Sequence, residues 1–494
     1  MIRETFKDLL RYLPARVIPA LVAIAAVPAL TRLLPPSEYG RFTLALAASS
    51  LFVSLTSAWI STSAIRFVPS YRSDARLGEG VSQLAALFVI TLVTCGLAAG
   101  LVGGVLTRRS GLSGGFVGIV IALCAVSAIQ EFLLGLLRSR RRATSYTVLA
   151  SFSGALGYAL ATGMAGFVDR TASMVVTGFL LAVLLVVPLS LRMSLRGIAL
   201  RIPHMRTEHV SDLLRYGLPA LVINGLTWVT AVSDRYILAA AQGASAVGIY
   251  SASRDLSDKA LVLLNTLFLL SSTPVGMSVW ERDGEDAARR YVARLTRFSL
   301  LITAPLAMGI AVLARPLISL LADARYHEGF RLVPLVAAGS VFAGLATRYT
   351  LGLSFRKRTD LVALCYLGAG AVSVGLNLVL VPRFGYMAAA AGNLTAYAAL
   401  VFLARSVSRP HFAWPFPTGA ALRILAAAAA MGVAVHFAAA AFPHPAMQLA
   451  VGVPVGMVTY AAAILAAGGV SAEERAGLAR RLAFRRRPRP APGP

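Results

Sequence analysis

Residues 33–45 read LLPPSEYGRFTLA, and residues 240–253 read AAQGASAVGIYSAS. Each stretch carries a glycine and, two positions on, an aromatic: Gly40 and Phe42 in the first, Gly248 and Tyr250 in the second. Each leads into an apolar run, over roughly 42–65 and 247–272. An apolar run of about 20 residues is long enough to cross a bilayer as a helix. A second echo follows in the same order, with SRRRATSYTVL (139–149) against FRKRTDLVAL (355–364).

Outward from these stretches, further runs of suitable length cover the chain. The first half holds spans near 12–34, 42–65, 81–106, 115–137, 144–167 and 173–191. The second holds spans near 213–240, 247–272, 298–321, 330–354, 361–381 and 386–404, and two more follow near 420–441 and 447–468. The expected fold is all-α, a polytopic membrane protein with about fourteen transmembrane helices. Each echo is separated by six spans, an even number, so its two copies point the same way across the bilayer. That predicts two parallel six-helix lobes plus two C-terminal helices, and transporters place substrate sites at such repeat interfaces. The implied units are 1–205 and 206–405 for the lobes, 406–470 for the extra pair, and a basic tail over 471–494.

Composition agrees. Of 494 residues, 57% are hydrophobic and 14% charged, against about 25% charged in soluble domains; the mean hydropathy is +0.73. The net charge of +26 comes mostly from arginine. No soluble domain is present to carry a nucleic-acid face, so the charge reads as a positive-inside signal and an attraction to anionic lipid. Arginines concentrate in alternate loops, at Arg66, Arg72 and Arg76, at 138–142, over 192–215, at 282–297, and at 356–358. This places both termini in the cytoplasm of a cell with the protein in its inner membrane. The Pro-rich tail with Arg485, Arg486, Arg487 and Arg489 reads as a disordered contact to anionic lipid. The N-terminus is charged and amphipathic without a small-residue cleavage site, so the first span is expected to be retained. Cys95, Cys124 and Cys365 lie inside apolar runs with no CxxC or His/Cys cluster, which predicts neither disulfides nor a metal site, and no cofactor.

The segments TRLLPPSEYGRFTLA (31–45), SDRYILAAAQGASAVGIYSAS (233–253) and LNLVLVPRFGYMAAAAGNLTAY (376–397), in that order and spacing, resemble the polysaccharide flippases of the Wzx type. These belong to the MOP superfamily with the MATE exporters and MurJ. The resemblance runs over nearly the whole chain and contains no catalytic motif. It implies two six-helix lobes around a central cavity, alternating access, and a polyprenyl-diphosphate-linked oligosaccharide as cargo, moved from the cytoplasmic to the outer leaflet. Polysaccharide polymerases or glycosyltransferases are the implied partners. A MurJ-like lipid II flippase and a MATE-type cation-coupled exporter are the alternatives within the superfamily.

A diphosphate cargo calls for arginine or lysine in a cavity. An ionisable residue costs about 2.5–3.5 kcal/mol at the centre of a spanning helix, so those inside spans mark candidate sites. Span eight holds Arg254, Asp255, Asp258 and Lys259. Lys259 lies about 18 Å along it at 1.5 Å per residue, near mid-bilayer. Arg254/Asp258 and Asp255/Lys259 are both four apart, so each pair can neutralise itself on the helix, and Asn265 extends the first face. The expectation is that Arg254 and Lys259 receive the diphosphate, while Asp255 and Asp258 orient them and hold them when the site is empty. The plainer alternative is a set of interfacial charges on a shorter span. Asp234 and Arg235, at the end of span seven, are candidates for a pair at the lobe interface. Arg16 and Arg348, isolated in apolar runs, are candidates for the cavity, although each can snorkel to a nearby cytoplasmic end. Glu131 has no cation evident nearby, which leaves a proton or sodium site open beside an ion pair across the bundle.

Asn224, Asn377 and Asn393 read as interhelical hydrogen bonds, and Trp59, Trp228, Trp280 and Trp414 as interfacial anchors. Pro19, Pro28, Pro219, Pro274 and Pro305 would bend their spans. A membrane-embedded polymerase or ligase would act on the same lipid carriers. The outer loops are short, however, and hold no paired carboxylates, His/Cys pair or GxSxG, so no enzyme is expected.

Overall fold

The computed structural model describes residues 14–70, 74–110, 112–198 and 207–468, and every regular element among them is helical. Lipid offers no water to satisfy a backbone N–H or C=O, so a spanning chain closes its hydrogen bonds within helices. The first six are α1 (Pro14–Leu33), α2 (Pro36–Phe67), α3 (Asp74–Ser110), α4 (Gly114–Ser139), α5 (Ala143–Phe167) and α6 (Ala172–Leu195). The helical stretch Thr207–Val312 turns at Gly243 and Gly284, both with φ of 80°. Glycine adopts that conformation without a Cβ penalty. The turns divide the stretch into α7 (207–242), α8 (244–283) and α9 (285–312), the last extended by the short helix Ala314–Leu321. After α10 (Val333–Phe355), Gly385 divides Thr359–Ser408 into α11 (359–384) and α12 (386–408). Then come α13 (Thr418–Ala440) and α14 (Pro445–Ala466).

Ten described stretches are long and apolar enough to cross a membrane. The two longest hold three rods and two rods, and α1 adds one more, which gives the fourteen expected from the apolar runs. The chain is a polytopic membrane protein. Several rods outrun their apolar cores on the arginine-rich face, most clearly α8 and α9.

Both sequence echoes recur as matched backbone geometry. After α4, Arg141 sits at φ 55°, and after α10, Lys357 sits at φ 58°. The hydrogen bonds around them correspond: Arg141 N to Arg138 O and Arg142 N to Leu137 O, against Lys357 N to Ser354 O and Arg358 N to Leu353 O, all 3.0 Å. The other echo forms the crossing of α2 and α8. A Cβ at Gly40 would overlap the Ala244 carbonyl, and one at Gly248 would overlap the Pro36 carbonyl. Glycine at both positions is what lets the two backbones touch. One turn further in, the Thr43 hydroxyl donates to Ser251 Oγ at 3.3 Å, joining equivalent positions of the two repeats.

The six-helix units meet mainly where α2 lies along α7 and α8. Tyr236 Oη donates to Leu44 O at 3.0 Å, and Trp228 Nε1 to Ser50 Oγ at 2.9 Å. Near the arginine-rich face, Ser63 Oγ donates to Leu213 O at 3.1 Å. At the opposite face, Tyr326 Oη donates to Leu34 O at 2.9 Å, and its ring meets that of Tyr39 edge-on. The pair α13–α14 packs on α9, where Tyr460 Oη donates to Leu301 O at 2.9 Å and Met431 and Val435 cluster with Leu313. Leu97 and Leu101 of α3 point outward, as on a helix facing acyl chains.

Several side chains depart from expectation. Trp59 and Trp414 are buried, Trp228 bridges α7 to α2, and the Trp280 ring stacks on Phe355, so each tryptophan packs against a neighbouring part of the bundle. Rings this large bury extensive apolar area wherever helices diverge. Asn377 donates to Ser373 Oγ one turn back on its own helix, at 3.4 Å, and makes no bond across the bundle. Glu131 pairs with Arg138, seven residues on along α4; two helical turns bring the long arginine side chain back to the carboxylate.

Candidate functional site

The charged residues of α8 occupy two neighbouring faces, because a helix advances about 100° per residue. Arg254 and Asp258 share one face; Asp255 and Lys259 share the next. Each row has a partner on α7, which the turn at Gly243 folds back antiparallel to α8.

The first row is buried inside the second six-helix unit. Arg254 Nη1 donates to Asp234 Oδ2 at 2.9 Å and to Tyr250 Oη at 3.1 Å. Tyr250 Oη in turn donates to the same Asp234 oxygen at 2.5 Å. Arg254 Nε lies 3.7 Å from Asp258 Oδ2, and the Ser340 hydroxyl on α10 donates to the other Asp258 oxygen. Asn265 Nδ2 extends the row by donating to Ser340 O at 3.0 Å. The Asp234 side chain is only 1% exposed and that of Arg254 8%. Such burial is tolerable because each charge has a counter-charge and further hydrogen bonds.

The second row faces the seam between the two units. Asp255 lies between two cations, with Arg235 Nη2 at 3.6 Å and Lys259 Nζ at 3.4 Å. The three line one cavity with Tyr39, Phe42, Thr43 and Leu46 of α2, Val27 and Leu30 of α1, and Tyr158 of α5. Lys259 Nζ is 5.8 Å from the centre of the Tyr158 ring, a cation–π contact from one unit to the other. The cavity holds only about 40 Å³, room for a water or two.

Asp234 and Arg235 are therefore not paired with each other. Adjacent helical residues point about 100° apart, so Asp234 turns inward to Arg254 and Arg235 turns to the seam and Asp255. The i,i+4 pairs expected on α8 both form. Arg254 faces its own bundle and does not line the cavity. Arg348 is also remote from it: it is buried against Ser299 of α9, with Nη2 to Oγ 3.4 Å, and beneath the Phe268 ring of α8. Arg16 lies on α1, but its side chain falls outside the described residues, as do Arg72, Arg201, Arg206 and the basic tail. Sequence reasoning missed Tyr158, Tyr39 and Thr43, which close the cavity from the first unit, and Ser340, which holds Asp258. Tyr39 and Thr43 flank the Gly40–Phe42 echo, which was the available signal; Tyr158 and Ser340 sit in ordinary apolar runs.

The structure is similar to "Lipid II flippase MurJ, inward closed conformation", with a TM-score of 0.73 and 13% identity over 93% of this chain and 99% of that one. It is similar to an inward-facing multidrug resistance MATE family transporter of the MOP superfamily, with a TM-score of 0.63 and 14% identity over 81% and 98%. A MOP superfamily transporter from Pyrococcus furiosus gives a TM-score of 0.58 and 14% identity over 82% and 96%. At these identities the likeness is one of fold. No curated protein matches the sequence. Residues 29–330, more than half of the chain, match the family described as "Polysaccharide biosynthesis protein". The chain thus belongs to the polysaccharide biosynthesis protein family and carries the fold of the MOP superfamily.

Proposed function

We propose that this protein flips a polyprenyl-diphosphate-linked oligosaccharide from the cytoplasmic to the outer leaflet of the inner membrane by alternating access, for surface polysaccharide biosynthesis. The observation that carries the reading is the pair of cations, Arg235 and Lys259, held in the seam between two six-helix units. Two cations match the two negative charges of a diphosphate diester, and the arginine fork suits phosphate oxygens. Arg254 serves behind them. Bound to Asp234 and Asp258, it fixes α8 against α7 so that Lys259 and Arg235 project together. The seam is the place where opening of either face would expose the site. The arginine-rich face is cytoplasmic in this reading.

Lipid II carries the same polyprenyl diphosphate, so the cation pair would serve it equally. The family description favours a polysaccharide precursor. An exporter of organic cations is disfavoured by a cavity triad with more positive than negative groups. Transport is the whole activity in this proposal, and the pure protein neither hydrolyses nor polymerises its cargo. The test is transbilayer movement of a fluorescent lipid-linked oligosaccharide in proteoliposomes. The protein should accelerate it, and Arg235→Ala with Lys259→Ala should bring it to the protein-free rate. Undiminished flipping by the double variant would sink the proposal. Faster flipping of lipid II than of oligosaccharide carriers would turn it to the alternative.

A further inference from the structure

Resting on that reading, we infer that Asp255 is a resident competitor for the cargo's diphosphate, which lowers affinity so that the cargo can leave. Asp255 lies 3.6 Å from Arg235 and 3.4 Å from Lys259, and all three face the same cavity. A diphosphate that engages both cations takes away both of the carboxylate's counter-charges. Among the described residues no other cation lines this cavity. Arg254, the next cation on α8, is held by Asp234 at 2.9 Å and by Asp258 at 3.7 Å on the buried face.

The charges show the competition directly. The empty triad has two positive groups and one negative. With a diphosphate diester bound, two positive groups face three negative charges, so Asp255 and the diphosphate repel each other at close range. An affinity that is high at the first face is equally high at the second unless something opposes it. Passage through a membrane site needs binding favourable enough to enter and weak enough to leave. Asp255 supplies the opposition: as the diphosphate withdraws, the carboxylate regains both partners. Asp255 is in this sense a positioning residue that sets affinity through Arg235 and Lys259.

The experiment uses the full-length protein in nanodiscs with farnesyl-diphospho-N-acetylglucosamine as probe, together with flipping rates in proteoliposomes. Asp255→Asn should bind the probe about tenfold more tightly, as expected on removing a close like charge from a charged contact, yet flip more slowly. Asp255→Glu keeps the carboxylate and should stay within about threefold of the native affinity, which separates the charge effect from a fold defect. Equal or weaker binding by Asp255→Asn, or tightening by Asp255→Glu to the same extent, overturns the inference. If Arg235→Ala/Lys259→Ala loses the probe at the same time, the cation site stands without the competitor. If that double variant binds like the native protein, the proposed cargo site itself fails.

Discussion

Arg254 shows how neighbouring side chains with similar sequence signals come to different work. Its guanidinium satisfies Asp234, Tyr250 and Asp258 at once inside the bundle. Removing one partner of a buried ion pair strands the other charge, at a cost of about 3–5 kcal/mol. Arg254→Ala should therefore lower the melting temperature and the amount of protein in the membrane, besides ending export. Loss of export with an unchanged melting curve would instead place Arg254 in direct contact with cargo. The double variant Asp234→Ala/Arg254→Ala should lose less stability than the two single losses combined, because Asp234 and Arg254 no longer strand each other's charge. Arg254→Lys keeps the charge but not the fork, and should fall between native and alanine in both export and stability. By contrast, Lys259→Ala, whose side chain is 22% exposed at the seam, should end export with little change in melting.

At the scale of elements, the crossing of α2 and α8 is set by absent side chains. Gly40 and Gly248 let each backbone reach the other's carbonyl, and Thr43 and Ser251 meet just inside. Oxidation of a Thr43→Cys/Ser251→Cys variant, in a background lacking Cys95, Cys124 and Cys365, should cross-link the two helices and stop transport, with recovery on reduction. Full transport by the cross-linked protein would show that α2 and α8 stay together throughout the cycle. Gly40→Val should weaken this contact and raise labelling of a cysteine at 251 from outside the cell. The turns after α4 and α10 provide a second test. Arg141 and Lys357 hold positive φ, a conformation that costs a non-glycine residue about 1–2 kcal/mol. Lys357→Gly should be neutral or stabilising in a thermal melt, while Lys357→Val should destabilise, since β-branching worsens the strain. A destabilising glycine there would mean that the lysine side chain, and not the turn, carries the position.

For the molecule as a whole, orientation follows from the arginine-rich loops. Cysteines placed at 140 and 204 should be shielded from impermeant reagents in intact cells and react once the membrane is opened. Reaction from outside at either position would reverse the topology and with it the direction of flipping. Position 140 is anchored: Arg140 donates to Ser194 O and Arg196 O, tying the turn after α4 to the end of α6. A change there is best read alongside position 204, which lies outside the described residues.

The span count and the parallel repeat were legible in the sequence for a physical reason. A bilayer demands apolar runs of set length, and a repeat leaves its glycine–aromatic punctuation at matching places. The two i,i+4 charge pairs on α8 were legible too, because helix geometry is local. Which of the two rows faces cargo was not. Asp234 and Arg235 are neighbours in sequence, yet one is sealed within a bundle and the other opens on the seam, and only the packing of α7 against α8 and α2 separates them. The burial of Trp59 and Trp414, the capture of Glu131 by Arg138 and the placement of Tyr158 over Lys259 share that origin. Hydrophobicity along a chain tells how deep a residue sits in the membrane. Whether it meets lipid, another helix or the cavity depends on the rotation of its helix about its own axis, which the tertiary contacts decide.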